Sequence, residues 1–183
     1  MKTLVVFYSF SGNNTVVAEE LNSRLGGDIY EIKEMKGRTA FTILLDMLFN
    51  RKPRIRMPLF STDQYHRVVL MAPVWNAKIA FPMQSFIRLE KDRLKEYGFV
   101  TVCGGRTGQQ EKLEKQLLLL TGKAPMMVTQ LSINNLVPSE RIRTGRNTAS
   151  FRVESSDLKY FEPAIEQIVN KLSGVTTAAI RPL

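Results

Sequence analysis

Short apolar runs alternate with helical patterns from one end of the chain to the other. Leu4-Val5-Val6-Phe7-Tyr8 is unbroken by polar alternation, as in a strand covered on both faces. After a polar turn, Val17, Leu21 and Leu25 recur at i, i+4 and i+8, and Gly26-Gly27 supplies a stop. The order so far is strand, loop, helix. Ile29 to Ile32 alternates apolar with polar and suits an outer strand. Residues 39–50 predict a helix that is apolar around most of its girth, through Phe41, Ile43, Leu44, Leu45, Met47, Leu48 and Phe49. Core packing is the expectation for this helix, with a homodimer or partner contact through it as the alternative.

Val68 to Ala72 predicts a third strand, and Pro82 is well placed in the first turn of a helix whose apolar side is Met83, Phe86, Ile87 and Leu94. Phe99 to Cys103 is a fourth strand. Leu113, Leu117 and Leu120 mark a helix that stops at Gly122, and Met126 to Leu131 is the fifth strand. Residues 134–150 have no clear period and read as a long loop or insertion. Leu158, Phe161, Ile165, Ile168 and Leu172 are spaced as on one helix face, but Pro163 predicts a kink or a restart near Glu162. This alternation implies an α/β fold: a five-stranded parallel sheet with helices on both faces, a single domain over 1–175 with a tail at 176–183. Ligands of such sheets lie beyond the carboxyl ends of the strands, where the strand order reverses. Function is therefore sought in the loops after Tyr8, Ala72 and Cys103.

Composition narrows the classes. Hydrophobic residues at 44% and charged residues at 23% exclude a disordered or fibrous chain. One cysteine, Cys103, and one histidine, His66, leave no disulfide framework, no Cys-rich zinc site and no His-based catalytic centre to expect. His66 lies in a polar run and reads as an exposed loop residue. The longest strongly apolar stretch, Phe41 to Phe49, includes Asp46 and falls short of the roughly 20 residues that span a bilayer. No secretory cleavage pattern follows Met1-Lys2, so a soluble, cytoplasmic protein is expected. A net charge of +9 permits acidic partners, nucleic acid or anionic ligands and by itself selects none of them. The basic run Arg51 to Arg56 reads as an exposed loop. It lacks interleaved aromatics or a helix-turn-helix pattern, so nucleic acid is not among the expected partners.

The first loop, Ser9-Phe10-Ser11-Gly12-Asn13-Asn14-Thr15, joins a buried strand directly to a helix. Successive amides there can point at one anion, the helix N-terminus adds partial positive charge, and the hydroxyl and amide side chains add donors. Without a Lys or Arg, the loop would hold a phosphate by hydrogen bonds alone. The alternative is that Ser and Asn simply cap the helix. Tyr8 to Asn14, followed by Val17-Ala18-Glu19-Glu20-Leu21, resembles the flavin mononucleotide (FMN) phosphate loop of the flavodoxin superfamily, Ser/Thr-x-Ser/Thr-Gly-Asn-Thr, with Asn14 where Thr is usual. The resemblance implies FMN as cofactor and a three-layer sandwich with strand order 2-1-3-4-5, an order for which flavodoxin is itself the standing example.

The second loop carries Pro73-Val74-Trp75-Asn76 and a further proline at 82. Flavodoxin-like proteins commonly have Pro-aliphatic-Trp here, with the aromatic ring beside the isoalloxazine, and a broad aromatic face suits that flat ring. An exposed anchor or a core tryptophan is the alternative. In the third loop, Cys103, Gly104, Gly105, Arg106 and Gly108 would by the same resemblance line the pyrimidine side of the flavin. Arg106 would there favour a reduced, anionic ring, although glycines also suit any tight strand-to-helix turn. Cys103 reads as a small buried hydrophobe rather than a nucleophile.

Two roles fit an FMN-binding redox protein. One is an electron carrier between protein partners, and the other an NAD(P)H oxidoreductase reducing a quinone-like or small anionic acceptor. The reading from a different class is a regulatory or scaffold domain that keeps the phosphate loop without redox chemistry. Arg141, Arg143 and Arg146 in the 134–150 segment are candidates for docking an anionic partner.

Overall fold

Every residue of β1 (Thr3–Phe7) and of β3 (Arg67–Met71) is buried, and after their first residues, Thr3 and Arg67, both are apolar throughout, as strands at the centre of a sheet covered on both sides require. A computed structural model describes residues 2–37, 39–49, 51–104, 109–136 and 151–174. The remaining elements are α1 (Asn13–Leu25), β2 (Asp28–Glu31), α2 (Ala40–Phe49), β4 (Val74–Trp75), β5 (Lys78–Ile79), α3 (Phe81–Glu90), β6 (Glu96–Cys103), α4 (Gln110–Thr121), β7 (Val128–Ser132) and α5 (Glu162–Ser173).

The main sheet is parallel, in the order β2-β1-β3-β6-β7. β4 and β5 form a separate two-stranded ribbon, so counting only strands of the main sheet the order is the expected 2-1-3-4-5. The direction of winding reverses between β1 and β3. Alternate residues of each strand serve opposite faces. Leu4 and Val6 join Phe86 of α3 and Leu113 and Leu117 of α4 in one core. Val5 and Phe7 join Val17 and Leu21 of α1 and Ile165, Ile168 and Leu172 of α5 in the other.

The helix stops follow local chemistry. Gly26 ends α1 at φ 60°, a left-handed conformation that favours glycine. Gly27 is needed for a different reason: a Cβ there would stand 2.4 Å from the Thr3 carbonyl oxygen. Pro82 and Pro163 both lie in first helical turns, where a missing N–H costs nothing. The expected restart is therefore real. Leu158 belongs to a 3-10 turn over Ser155–Tyr160, and α5 begins anew at Glu162.

The structure corrects three expectations. None of the described side chains of α2 joins either core, and Phe41 and Leu48 are 66% and 69% exposed, so the helix does not pack in the interior. The buried apolar residues of this region are Ile32 and Ile55 instead, held by backbone pairing between residues 33–35 and 54–56. The basic run 51–56 is thus partly paired rather than a plain exposed loop. Leu94, assigned to the apolar side of α3, lies beyond that helix in the following turn, though fully buried. Residues 105–108, residues 137–150 with Arg141, Arg143 and Arg146, and residues 176–183 lie outside the described residues.

Candidate functional site

At the carboxyl end of β1 the chain turns into α1 through Gly12, whose φ of 89° is left-handed. A Cβ at Gly12 would meet nothing, so glycine is required by the backbone conformation and not by crowding. Among the described residues, the backbone N–H groups of Phe10, Ser11, Gly12, Asn13 and Asn14 have no hydrogen-bond partner. The last two are first-turn donors that a helix leaves unpaired. Beside them the Ser9 hydroxyl is buried without a partner. An unpaired buried hydroxyl costs about 1–3 kcal/mol. Together these donors form a compact turn of unpaired N–H and O–H groups with the positive end of the α1 dipole behind it, a geometry suited to an anion.

The two asparagines of this loop also have structural tasks. Asn13 Nδ2 donates to the Phe151 carbonyl at 3.1 Å, and Asn13 Oδ1 accepts from Val153 N–H at 3.0 Å. Its side chain therefore ties α1 to the segment before α5, and its backbone N–H is what it offers a ligand. Asn14 Oδ1 accepts from Val102 N–H at 3.1 Å, which anchors the start of α1 to the end of β6 and keeps Nδ2 as a donor. Ser11 and Thr15 are partly exposed beside them.

The second loop is not irregular. Val74 and Trp75 pair antiparallel with Ile79 and Lys78 in a tight hairpin. Its two turn residues, Asn76 and Ala77, have φ of 48° and 60°, the pattern of a type I′ turn. Gln116 of α4 accepts from Ile79 N–H at 2.9 Å, and Gln84 of α3 donates to the Ile79 carbonyl at 2.7 Å, so two helices hold the hairpin. Trp75 then reaches the first loop. Its ring meets Tyr8 edge-on at 6.1 Å between centroids and Phe10 at 6.2 Å. Tyr8 in turn donates to Glu34 Oε1 at 2.9 Å. Phe10 is 47% exposed, leaving an aromatic rim at the sheet edge.

Between the second and third loops lies a cavity of about 480 Å³, a size ordinary for small-molecule sites. Val74, Asn76, Cys103 and Gly104 line it, as does Ala77. Cys103 is half-buried there rather than buried as a hydrophobe. Gln109, Lys112 and Gln130 also line the cavity and were not singled out from the sequence. Their only sequence signal is position, at the start of α4 and on the adjacent edge strand β7. Pro73 sits at the base of the hairpin, where its carbonyl accepts from Ala80 N–H at 3.0 Å. The first loop does not line this cavity; it is joined to the second loop through Trp75. Gly105, Arg106 and Gly108 lie outside the described residues.

No family model matches the chain, and no curated protein does either. Among solved structures it is similar to a flavoprotein from Lactobacillus acidophilus NCFM determined in complex with FMN, at 19% identity over 80% of this chain and 99% of that one, with a TM-score of 0.63. An oxidised flavodoxin from Bacillus cereus matches at 14% identity over 97% of this chain and 100% of its own, with a TM-score of 0.53. A WrbA-like flavodoxin from Agrobacterium tumefaciens matches at 12% over 96% and 99%, with a TM-score of 0.52. At such identities the likeness is one of architecture, and it agrees with the sheet order and its reversal between β1 and β3: the chain has the flavodoxin fold.

Proposed function

We propose that this chain binds FMN and works as a flavodoxin-like redox protein. The observation that carries the reading is the buried, unpartnered Ser9 hydroxyl beside the unpaired N–H groups of residues 10–14. In this reading Ser9, Ser11, Thr15, Asn14 Nδ2 and the main chain from Phe10 to Asn14 hold the phosphate. No cation stands in the loop, so neutral hydrogen bonds and the helix dipole do all of the holding. Val74, Trp75, Asn76, Cys103 and Gly104 are assigned to the ring, with Gly105, Arg106 and Gly108 following them by resemblance. FMN supplies one- and two-electron chemistry that no side chain of the site possesses.

The protein's share is to fix the phosphate, offer an aromatic wall and exclude water from one side of the ring. Lys112 and the net charge of +9 favour negative charge in the site, and with it an anionic or quinone-like acceptor or an acidic redox partner.

The test is a titration of the purified protein with FMN and, separately, with riboflavin, read by flavin fluorescence and calorimetry. FMN is expected to bind much more tightly than riboflavin. Ser9→Ala should weaken FMN about tenfold, equivalent to about 1.4 kcal/mol, with little effect on riboflavin. A protein that binds neither would overturn the reading and leave a scaffold domain. NAD(P)H oxidation with a quinone acceptor then separates the two roles, since rapid turnover without an added reductase makes the protein an enzyme and its absence makes it a carrier.

A further inference from the structure

Helix α2 is built inside out. Its polar side chains are Thr42 and Asp46, and Asp46 is buried at 8% exposure. Phe41, Leu44 and Leu48, at i, i+3 and i+7 on one face, are at least half exposed, as is Phe49. The helix is nonetheless well formed at its start: Thr42 N–H donates to Thr39 Oγ1, and Thr39 N–H donates to Thr42 Oγ1. A stable turn thus presents a continuous apolar stripe to the outside, an arrangement that marks an interaction surface.

The surroundings of the stripe are basic. A cavity of about 520 Å³ flanks α2 and is lined by four cationic residues, Lys36, Arg51, Lys52 and Arg54, against two carboxylates, half-buried Glu34 and buried Asp46, together with Met35. Lys36, Arg51 and Arg54 are exposed. Arg51 is fixed at the C-terminal end of the helix, where its N–H donates to the Asp46 carbonyl at 3.2 Å. Met35, 63% exposed, extends the apolar surface to the edge of this rim.

We propose that α2 and this rim dock the protein on an anionic lipid surface, with Phe41, Leu44 and Leu48 entering the headgroup–acyl boundary and Lys36, Arg51 and Arg54 against lipid phosphates. Charge selects this occupant over a second copy of the chain, because an isologous contact through α2 brings two cationic rims together. Among the described residues no helix is long and apolar enough to cross a membrane, so α2 lies on the surface instead of spanning it. The inference does not depend on the flavin.

The full chain is sedimented with vesicles of phosphatidylcholine alone and of phosphatidylcholine mixed with phosphatidylglycerol. Binding to the anionic vesicles should be about tenfold tighter or more, and should weaken as salt rises. Phe41→Ser with Leu48→Ser should abolish it while far-ultraviolet circular dichroism stays unchanged, since both side chains are outside the core. Lys36→Glu, Arg51→Glu and Arg54→Glu together should remove the preference for anionic lipid. Equal binding to both vesicles, retention by the double serine variant, or no binding at all overturns the proposal. So does a dimer in sedimentation equilibrium that the serine variant dissociates, which would assign the face to a second copy.

Discussion

Asn14 Oδ1 accepts a hydrogen bond from Val102 N–H at 3.1 Å, across 88 positions of chain, and this contact joins the phosphate-loop candidate to the strand that delivers Cys103 and Gly104. Both groups are buried, Asn14 at 2% and Val102 at 6% exposure. Asn14→Ala would strand the Val102 donor and should cost about 1–3 kcal/mol of stability in urea unfolding. Asn14→Asp keeps the acceptor and should cost less, yet its negative charge beside the proposed phosphate should weaken FMN binding at least about tenfold. An aspartate variant as unstable as the alanine one would show that Val102 does not rely on this oxygen.

What could be read from the sequence was whatever local chemistry decides. The stop of α1 at Gly26, the restart at Pro163 and the strand order follow from φ preferences and hydrophobic period, which are properties of neighbours in the chain. Whether another surface covers an apolar helix is not such a property, and α2 was misplaced for that reason: its pattern is the same with or without a partner. The β4–β5 hairpin was missed because Asn76-Ala77 lacks the glycine that announces a two-residue turn. Within the first loop, an asparagine facing a ligand and one stitching two segments together are the same letters. Only tertiary contacts separate Asn13, whose amide is committed to Phe151 and Val153, from its neighbours.

Glu90 is another residue whose task is visible only in three dimensions. It is 2% exposed, and its Oε2 accepts from Thr62 N–H at 3.0 Å and from the Thr62 hydroxyl at 2.9 Å, while Arg93 donates to Oε1 at 2.9 Å. The carboxylate therefore pins the turn that leads into β3 onto the end of α3. Glu90→Ala should destabilise by about 3 kcal/mol, because two buried Thr62 donors lose their acceptor. Glu90→Gln, which keeps one oxygen, should cost clearly less. Equal losses in urea unfolding would point to packing volume rather than to these bonds.

Ala77 carries strain in the candidate ring-binding hairpin. Its φ of 60° is left-handed, a region that disfavours any side chain and costs a non-glycine residue about 1–2 kcal/mol. Ala77→Gly relieves that cost, offset in part by the greater freedom of glycine in the unfolded chain, for a net gain of about 0.5 kcal/mol. The urea midpoint should rise slightly. A fall would mean that the alanine methyl contributes packing at the cavity wall that outweighs the backbone strain.

Tyr65 and Asp28 link the start of β3 to β2 through a hydrogen bond from the phenol to Oδ2 at 2.8 Å, with Lys2 3.2 Å from the same carboxylate. Burial, and then the bond to Asp28, push the Tyr65 phenol up to about 12, whereas that bond, and then Lys2, hold the Asp28 carboxyl below its usual range. The folded protein thus keeps the Tyr65 proton at a pH where the unfolded chain has released it. The stabilisation is fully present below the ordinary tyrosine value of about 10 and is lost as pH rises through about 12. On the acid side, the Asp28 contribution is present above the ordinary carboxylate value and disappears as pH falls through its depressed one. Tyr30 and Tyr97 are also raised by burial, so the alkaline loss is shared among them. Tyr65→Phe should therefore reduce, without abolishing, the fall of the urea midpoint between about pH 10 and 12, and should shrink the fall on the acid side as well. Unaltered slopes at both extremes in the phenylalanine variant would sever the proposed coupling between Tyr65 and Asp28.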